Sequence, residues 1–307
     1  MMIDLRQLAA LAAVVEECSF ERAAQRLHVT QSAVSQRIKQ LEERLGQVLV
    51  VRTAPIHATE AGQQVLKHYR QISLLEQELH QALSQQDIQG FTRVALGLNA
   101  DSLETWFPDA VASLVTEQRL LLDLKVDDQD VTHQLLKNGE VIGCITSSPK
   151  AMPGCLCVPL GVVPYRCLAS PAYLARHFPE GVVAGGFRRA PVAEYSYKDQ
   201  LQNRYLQQFF GLEAHEYSRH RIPSSSAFCD LIVRGLACGM VPDQQGWGMI
   251  EAGQAVDMTP GRYLAVPLYW HVWNLGSRLI RQLTEALVTE AKHQLDPFDA
   301  HPVLTHP

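Results

Sequence analysis

The sequence predicts an all-α amino-terminal segment followed by a longer α/β segment. Up to about residue 86, apolar residues recur at gaps of three and four, which is the spacing of one helix face. Beyond residue 90, short β-branched runs alternate with helical stretches, a pattern typical of βαβ units and a mainly parallel sheet. The chain has 307 residues, 47% hydrophobic and 19% charged, which favours two or three folded domains.

The amino-terminal segment opens with two helices. Four apolar residues at helical spacing define the first: Leu5, Leu8, Ala12 and Val15. Ser19 is placed to cap a second, shorter helix over 20–27, because its hydroxyl can accept a hydrogen bond from an early backbone N–H. Val29 and Thr30 then make a tight turn, and Thr30 is a good N-cap for a third helix that begins near Gln31.

The third helix and the residues after it complete one structural unit. Its apolar stripe is Val34, Ile38, Leu41 and Leu45. Gly46 stands where helices commonly end. A β-branched run at 48–51, a break at Pro55 and a return at 56–58 predict a small hairpin, or wing. Two short helices joined by a tight turn and followed by a wing form a winged helix-turn-helix, which we expect to span 1–58.

A long helix follows, with Thr59 placed to cap it. Its apolar stripe is Val65, Tyr69, Ile72, Leu75, Leu79 and Ala82. Glutamine, glutamate and lysine flank this stripe, so it suits pairing with a copy of itself better than packing on a small domain. We therefore expect 59–89 to be a linker helix through which the chain forms a homodimer or, with its second half, a homotetramer.

Residues 90–295 are predicted to form a two-lobed α/β domain of the periplasmic-binding-protein-like kind. The predicted strands are 92–98, 120–126, 141–146, 156–163, 165–169, 192–195, 215–219, 237–241 and 263–268. The predicted helices are 101–117, 131–138, 198–210, 225–234 and 277–294. The chain would enter the second lobe near Pro164 and leave it near Leu264. Lobe I then comprises 90–163 and 265–295, and lobe II comprises 164–264.

The Pro- and His-rich tail, 296–307, is expected to be disordered.

The third helix has the composition of a DNA-reading helix. One face must hold the core while the other presents polar side chains to the major groove, and Ala23 and Ala24 are small enough for a close helix crossing. Gln31, Ser32, Ser35 and Gln36 are the candidate base readers. Thr30, Arg37, Lys39 and Arg52 are the candidate phosphate or positioning contacts. Many helices have one polar face, so spacing alone leaves this prediction of double-stranded DNA as a partner open.

The charge of the chain is informative only locally. The formal net charge of −5 gives no sign of nucleic-acid binding. The stretch from 22 to 52, however, holds Arg22, Arg26, Arg37, Lys39, Arg44 and Arg52, opposed only by Glu42 and Glu43.

The sequence argues against an enzyme. It has no GxGxxG, GxxxxGK[ST], GxSxG or HExxH motif. The 7 cysteines are scattered, and Cys155 and Cys157 form only a CxC, so no metal and no cofactor are expected. The apolar run at 8–15 is too short to span a bilayer and is no signal peptide. We expect a cytoplasmic protein without membrane contact.

The stretch from Leu8 to Pro55 resembles the LysR-type transcriptional regulators nearly throughout. The matching motifs are F-x-R-A-A-x-x-L at 20–27, V-T-Q-S-A-V-S at 29–35, I-K-Q-L-E at 38–42, L-G at 45–46 and V-R-T at 51–53. Later segments are similar to the ArgP/LysG branch of that family: LNADSLETW at 98–106, VDDQ at 126–129, GEVIG at 139–143, SSSAF at 224–228, MTPG at 258–261 and LYWH at 268–271. The resemblance implies a regulator that senses lysine or arginine and controls genes of amino-acid export or metabolism.

The effector is expected at the carboxyl ends of the strands, in the cleft between the lobes. The candidate effector residues are Asn99, Asp101, Ser102, Asp127, Asp128, Ser147, Glu194, Tyr195, Ser224 and Ser225. Helix starts near Ser102 and Ser224 favour a carboxylate, and the four acids favour an ammonium and a basic side chain. With several acids and no arginine apparent, the site should prefer a cationic ligand. The serines and Asp101 could equally be helix caps, and Asp127 and Asp128 a solvated turn.

Two other classes of protein remain open at this point. One is an architectural DNA-binding protein without an effector, and the other is a cytoplasmic amino-acid binding protein. RNA polymerase is a further partner that a transcriptional regulator would meet.

Overall fold

The computed structural model describes residues 3–83, 90–126 and 132–301. These residues fall into two compact units. The first comprises Met1–Gly90 with Gln134–Ile142 and Leu275–Ile280. The second comprises Phe91–His133, Gly143–Asn274 and Arg281–Pro307.

The first unit begins with three helices and a two-stranded wing. The elements are α1 (Leu5–Glu17), α2 (Phe20–Arg26), α3 (Gln31–Leu45), β1 (Val50–Val51), β2 (His57–Ala58) and α4 (Glu60–Leu83). Ser19 accepts a hydrogen bond from the backbone N–H of Arg22 at 3.3 Å, and Thr30 accepts one from Ala33 at 3.2 Å. Both predicted N-caps are therefore confirmed. Gly46 ends α3 with a φ of 65°, a conformation that glycine adopts without strain.

The core of this unit lies where α1, α2 and α3 meet. Leu11 and Val14 of α1, Ala23 of α2 and Ile38 of α3 are fully buried. Because Ala23 adds only a methyl group, α2 can lie close to its neighbours. The wing strands pair antiparallel and add Val50 to this core.

Helix α4 is anchored at its start and partly exposed at its end. Thr59 accepts a hydrogen bond from Gly62 N–H at 3.0 Å and donates one to the Val48 carbonyl at 2.6 Å, which fastens the helix to the wing. Leu66 and Leu74 are buried, whereas three leucines of the carboxyl-terminal half are exposed: Leu75 by 40%, Leu79 by 58% and Leu83 by 72%.

The second unit is built on a nine-stranded sheet, counted over the described residues. Its strands are β3 (Thr92–Leu98), β4 (Leu120–Val126), β5 (Gly143–Thr146), β6 (Cys155–Ala169), β7 (Val192–Glu194), β8 (Arg219–Arg221), β9 (Cys238–Pro242), β10 (Val256–Asp257) and β11 (Tyr263–Trp273). The helices after β3 are α5 (Ala100–Glu104), α6 (Phe107–Glu117), α7 (Thr132–Lys137), α8 (Pro171–His177), α9 (Ala184–Arg189), α10 (Leu201–Phe210), α11 (Ser225–Val233), α12 (Asp243–Glu251) and α13 (Arg278–Gln294).

The strand order is β4-β3-β5-β11-β6-β9-β7-β8, with β10 paired to β6. β3 runs parallel to β4 and β5, and β7 runs parallel to β8 and β9. Between these two parallel groups lie the long strands β6 and β11, which are antiparallel to each other. The sheet is therefore mixed rather than mainly parallel, because the chain passes between the two groups once in each direction. The predicted two-lobed α/β architecture is confirmed.

Several predicted elements have different bounds in the structure, and two of these differences follow from a proline. The helix expected over 101–117 is two helices, α5 and α6, because Pro108 fits the first turn of a helix but not its interior. The two strands expected on either side of Pro164 are the single strand β6. β9 pairs with β6 only from Tyr165 onward, and a strand tolerates proline where one of its edges has no partner.

The start of the carboxyl-terminal tail differs from the predicted disorder. Asp296 exchanges backbone hydrogen bonds with Val162 at 2.8 and 3.0 Å, which pairs it with β6. The His301 ring lies 3.0 Å from the Tyr263 hydroxyl and 2.7 Å from the Asp296 carboxylate. Residues 302–307 of the predicted tail, and 84–89 of the predicted linker, lie outside the described residues.

Replacing Gly62 with alanine is expected to destabilise the protein by at least about 1 kcal/mol. A Cβ atom there would stand 2.1 Å from the Leu49 carbonyl oxygen, and a backbone atom cannot move aside cheaply. The matched control is Gly248→Ala in α12, where a Cβ meets nothing within 4 Å. That change should stabilise by about 0.5–1 kcal/mol, because alanine is the better helix former. Urea unfolding measures both, and equal effects would contradict the proposed crowding at Gly62.

Candidate nucleic-acid interface and effector cleft

The polar face of α3 is exposed as the sequence predicted. Val34, Ile38 and Leu41 are fully buried on the opposite face. The candidate base readers Gln31, Ser32 and Gln36 are exposed, and Ser35 is half-buried. Among the candidate positioning residues on this helix, Lys39 is exposed and Arg37 half-buried. Residues 31, 32, 35, 36 and 39 share one side of the helix through their spacing of three and four.

Thr30 is tied to the start of this helix. Its hydroxyl oxygen caps Ala33 and lies 3.0 Å from the hydroxyl oxygen of Ser32. The cap leaves backbone N–H groups at the helix start that can meet a phosphate, as helix N-termini do. The role of Thr30 as a positioning contact stays a prediction, and its capping bond is compatible with it.

Arg52 extends from the wing and is oriented by two neighbours. Its guanidinium lies 5.4 Å from the centre of the Phe20 ring and 3.8 Å from the Glu42 carboxylate. Glu42 in turn accepts a hydrogen bond from Leu49 N–H at 2.8 Å, which fixes it between α3 and the wing. The Arg52 side chain is 56% exposed. An exposed ion pair of this kind is weak, so the cation can still bind a phosphate.

A cleft opens within the second unit at the carboxyl ends of β3 and β9. Its lining comprises Asn99, Ala100, Asp101, Tyr165, Tyr195, Lys198, Asp199, Gln200, Leu201, Arg204, Ser225, Phe228, Cys229, Met240, Val241, Pro242 and Gln245. Four of the predicted effector residues are thereby brought together: Asn99, Asp101, Tyr195 and Ser225.

Asp101 joins three elements at this cleft. Its carboxylate accepts hydrogen bonds from the Tyr165 hydroxyl of β6 and from the Ser225 hydroxyl of α11, both at 2.8 Å. The Ser225 oxygen also lies 3.1 Å from the Gln245 side-chain oxygen. Burial and the Asp101 charge raise the pKa of Tyr165 well above its usual value, so this phenol stays a donor at all ordinary pH values.

Asn99 and Ser102 carry buried oxygen atoms without a hydrogen-bond partner in the described part of the chain. These atoms are Asn99 Oδ1 and Ser102 Oγ, in side chains that are 5% and 2% exposed. A buried polar group left unpaired costs about 1–3 kcal/mol. Because Asn99 lines the cleft, its oxygen is a ready acceptor for a ligand that donates hydrogen bonds.

Asp199 is a cleft residue that the sequence reasoning missed. Its carboxylate accepts backbone hydrogen bonds from Tyr195 and Leu201, each at 2.9 Å. Burial raises its pKa, and the Asp101 charge raises it further, while the two backbone donors and Arg204 oppose that rise. The only signal in the sequence was an aspartate in the first turn of the predicted helix 198–210, where the helix dipole already favours an acid.

The cations of the cleft also differ from expectation. The sequence suggested several acids with no arginine, yet Arg204 and Lys198 both line the cleft. The sequence did not identify Arg204 because it lies in the first turn of α10, where an arginine is ordinarily part of a solvated helix face.

Other predicted effector residues lie apart from the cleft lining. Glu194 is 3% exposed and accepts a hydrogen bond from Arg219 at 3.0 Å. Burial raises the pKa of Glu194 and the Arg219 charge opposes that rise, so it is paired within the fold. Ser224 caps α11 through Ala227 N–H at 3.3 Å, and Ser147 follows β5. Ser102 lies in α5 behind Asp101.

Asp127 and Asp128 lie outside the described residues. Across the residues that are described, no group of three or more His, Cys, Asp or Glu side chains is arranged to hold a metal ion. The same part of the chain contains no helix with the length and apolar character needed to cross a membrane.

A winged helix-turn-helix and a two-lobed α/β domain with its own cleft together define a DNA-binding regulator that a small molecule can modulate. The sequence matches the family model "Bacterial regulatory helix-turn-helix protein, lysR family" over residues 5–63. It matches the model "LysR substrate binding domain" over residues 89–292. The chain therefore belongs to the LysR family of transcriptional regulators and is not an enzyme.

Individual relatives narrow the comparison. The chain is 44% identical to the HTH-type transcriptional regulator ArgP of Pseudomonas aeruginosa over 291 residues, which covers 94% of this chain and 96% of that one. It superposes on the crystal structure of ArgP from Mycobacterium tuberculosis with a TM-score of 0.88 at 37% identity, covering 97% and 100% of the two chains. The structure of full-length LysG from Corynebacterium glutamicum with bound effector Arg superposes with a TM-score of 0.78 at 32% identity. The match covers 96% of this chain and 100% of that one.

Replacing Gln31 or Ser32 with alanine is expected to relax sequence preference, because both are exposed on the polar face of α3 and are the predicted base readers. Each lost base contact should cost about 1–3 kcal/mol of discrimination. Arg52→Ala should instead weaken binding to all DNA about equally. It should also reduce the slope of log K against log salt concentration by about one.

Fluorescence anisotropy on cognate and scrambled duplexes at several salt concentrations measures both effects. Arg234→Ala, an exposed arginine of the second unit, is the control and should change neither. The opposite pattern, with Arg52 affecting specificity and Gln31 affecting all DNA, would show that the two roles are reversed.

Proposed function

We propose that this regulator responds to a basic amino acid, lysine or arginine, bound in the cleft of its second unit. In this proposal it controls genes of amino-acid export or metabolism and acts in the cytoplasm, where it reads double-stranded DNA through α3 and the wing. The observation that carries the proposal is the pair of aspartates, Asp101 and Asp199, that line one cleft.

Electrostatics support a cationic ligand. Burial raises the pKa of Asp199, and the Asp101 charge raises it further, so the two carboxylates disfavour each other's ionisation. A ligand with an ammonium or guanidinium group relieves that repulsion, whereas an acidic ligand adds to it. The LysG relative with bound Arg is consistent with this chemistry.

The rest of the regulatory apparatus follows from α4. Its exposed leucines, Leu75, Leu79 and Leu83, form an apolar stripe that a second copy of the helix would cover. In the proposal, this pairing gives a homodimer, and the second units complete a homotetramer. Effector binding then shifts the population of two arrangements for which it has different affinities, which changes the DNA bend and the access of RNA polymerase.

Arginine and lysine are expected to raise the thermal unfolding midpoint of the protein, and glutamate is expected not to. A ligand at one hundred times its Kd stabilises the folded state by about 2.7 kcal/mol, because it binds that state alone. Differential scanning fluorimetry against the twenty amino acids tests this. No shift with any of them would favour an architectural DNA-binding protein without an effector.

The regulatory half of the proposal needs a DNA measurement. Anisotropy or gel-shift titration on the DNA upstream of the gene, with and without arginine or lysine, should show specific binding whose affinity or stoichiometry the amino acid changes. A thermal shift without specific DNA binding at moderate salt would favour an amino-acid binding protein instead.

Leu79→Glu is expected to raise the dimer dissociation constant at least tenfold. Covering an exposed leucine contributes about 1.5–3 kcal/mol, and a charge there opposes pairing. Gln77→Glu, at an exposed position of the same helix, adds the same charge and serves as the control. Sedimentation velocity over a concentration series measures both. An unchanged dimer in Leu79→Glu would exclude this stripe as the interface.

A further inference from the structure

We infer that Asp199 and Arg204 bind the α-ammonium and α-carboxylate groups of the effector, and that the cation of its side chain lies against Asn99 and Asp101. The inference rests on the proposed function, since it assigns the two ends of a basic amino acid within the same cleft. Three features of the cleft support it.

The first feature is the fixed orientation of Asp199. Backbone N–H groups on both sides, from Tyr195 and Leu201, each donate to one of its two carboxylate oxygens at 2.9 Å. The side chain therefore cannot rotate freely, and each oxygen keeps further acceptor capacity. A carboxylate held in this way suits an ammonium group that must be placed with one orientation.

The second feature is the state of Arg204. Arg204 is half-buried and lines the cleft, but it makes no ion pair within 4.0 Å and no side-chain hydrogen bond with any residue that the structure describes. Its charge is nevertheless felt by Asp199, whose pKa it lowers. An arginine that served only to neutralise Asp199 would contact it directly. The five donors of Arg204 are thus available for a carboxylate, which arginine binds with two parallel hydrogen bonds.

Together these two residues offer one negative and one positive group at the same end of the cleft. The α-ammonium and α-carboxylate of an amino acid are attached to one carbon atom, so they need such neighbouring opposite charges. Both protein groups come from the short segment that starts α10, which keeps their spacing constant.

The third feature is the acceptor character of the Asn99–Asp101 segment. Asn99 Oδ1 is buried, lines the cleft and has no hydrogen-bond partner in the described ranges. Asp101 adds a carboxylate two residues along. The two acceptor groups, Asn99 Oδ1 and the Asp101 carboxylate, suit the N–H groups of a guanidinium or an ammonium, which donate and never accept.

Truncated ligands test each end of the assignment separately. The ligands are L-arginine, agmatine, which lacks the carboxylate, 5-guanidinovalerate, which lacks the α-amino group, and L-citrulline, which lacks the side-chain charge. Isothermal titration calorimetry measures their affinities for the full-length protein and for Arg204→Gln, Asp199→Asn and Asp101→Asn. Circular dichroism and the unfolding midpoint establish that each variant is folded, and Arg204→Lys provides a milder second variant.

Each variant is expected to lose affinity only for those ligands that carry the group which the replaced residue binds. Arg204→Gln should lower the affinity for arginine at least tenfold and leave the affinity for agmatine unchanged. Asp199→Asn should lower the affinity for arginine at least tenfold and leave the affinity for 5-guanidinovalerate unchanged. Asp101→Asn should lower the affinity for arginine at least tenfold and leave the affinity for citrulline unchanged. Lys198→Gln, which removes another cation of the cleft lining, should affect arginine and agmatine equally.

Three outcomes overturn the inference. One is an equal loss of arginine and agmatine in Arg204→Gln, and another is an equal loss of arginine and 5-guanidinovalerate in Asp199→Asn. The third is a loss of affinity for arginine but not for agmatine in Lys198→Gln, with no such difference in Arg204→Gln. In all three cases the wild type still binds arginine, so the proposed function stands. If lysine is the effector, cadaverine, 6-aminohexanoate and norleucine replace the truncated ligands. A wild type that binds neither amino acid overturns both.

Discussion

The pairing of β6 with β11 determines where everything else in the second unit lies. The two strands run antiparallel from Tyr263 opposite Arg166 to Trp273 opposite Cys155, and they separate one parallel strand group from the other. Tyr165 stands on β6 where β9 begins to pair, opposite Pro242 on one side and Leu264 on the other. A ligand site forms where the strand order switches, because the chain there leaves a crevice beyond the strand ends.

The Asp101 hydrogen bonds depend on that position. Tyr165 can donate to Asp101 only because β6 carries it to the strand ends from which α5 and α11 start. The cleft therefore contains a carboxylate already held by two hydroxyl groups and a second, Asp199, held by two backbone N–H groups. The donors that hold each acid are neutral hydroxyl and backbone N–H groups. These contacts therefore do not neutralise the negative charge of either carboxylate. This arrangement retains negative potential for a ligand.

The sequence was informative where local rules decide the structure and less so where long-range pairing decides it. The caps at Ser19 and Thr30, the buried stripe of α3 and its exposed polar face could all be predicted, because helix periodicity and capping are local. The strand ends at Asn99 and Asp101 also followed from local alternation. Asp199 and Arg204 could not be placed, since an acid in a first helical turn and a solvated arginine explain them equally well until the fold brings them beside Asp101. Glu194 shows the converse, because its partner Arg219 lies on a neighbouring strand that the prediction had set slightly too early.

The net charge of −5 conceals two surfaces with opposite requirements. Arg52 and Lys39 are exposed beside a polar helix face, as phosphate contacts need to be. Asp101 and Asp199 are instead withdrawn into a cleft, where low solvent access strengthens their interaction with a cation. A cationic amino acid satisfies the acids with its ammonium groups while its single carboxylate needs only one arginine, and the cleft contains that arginine at the start of α10.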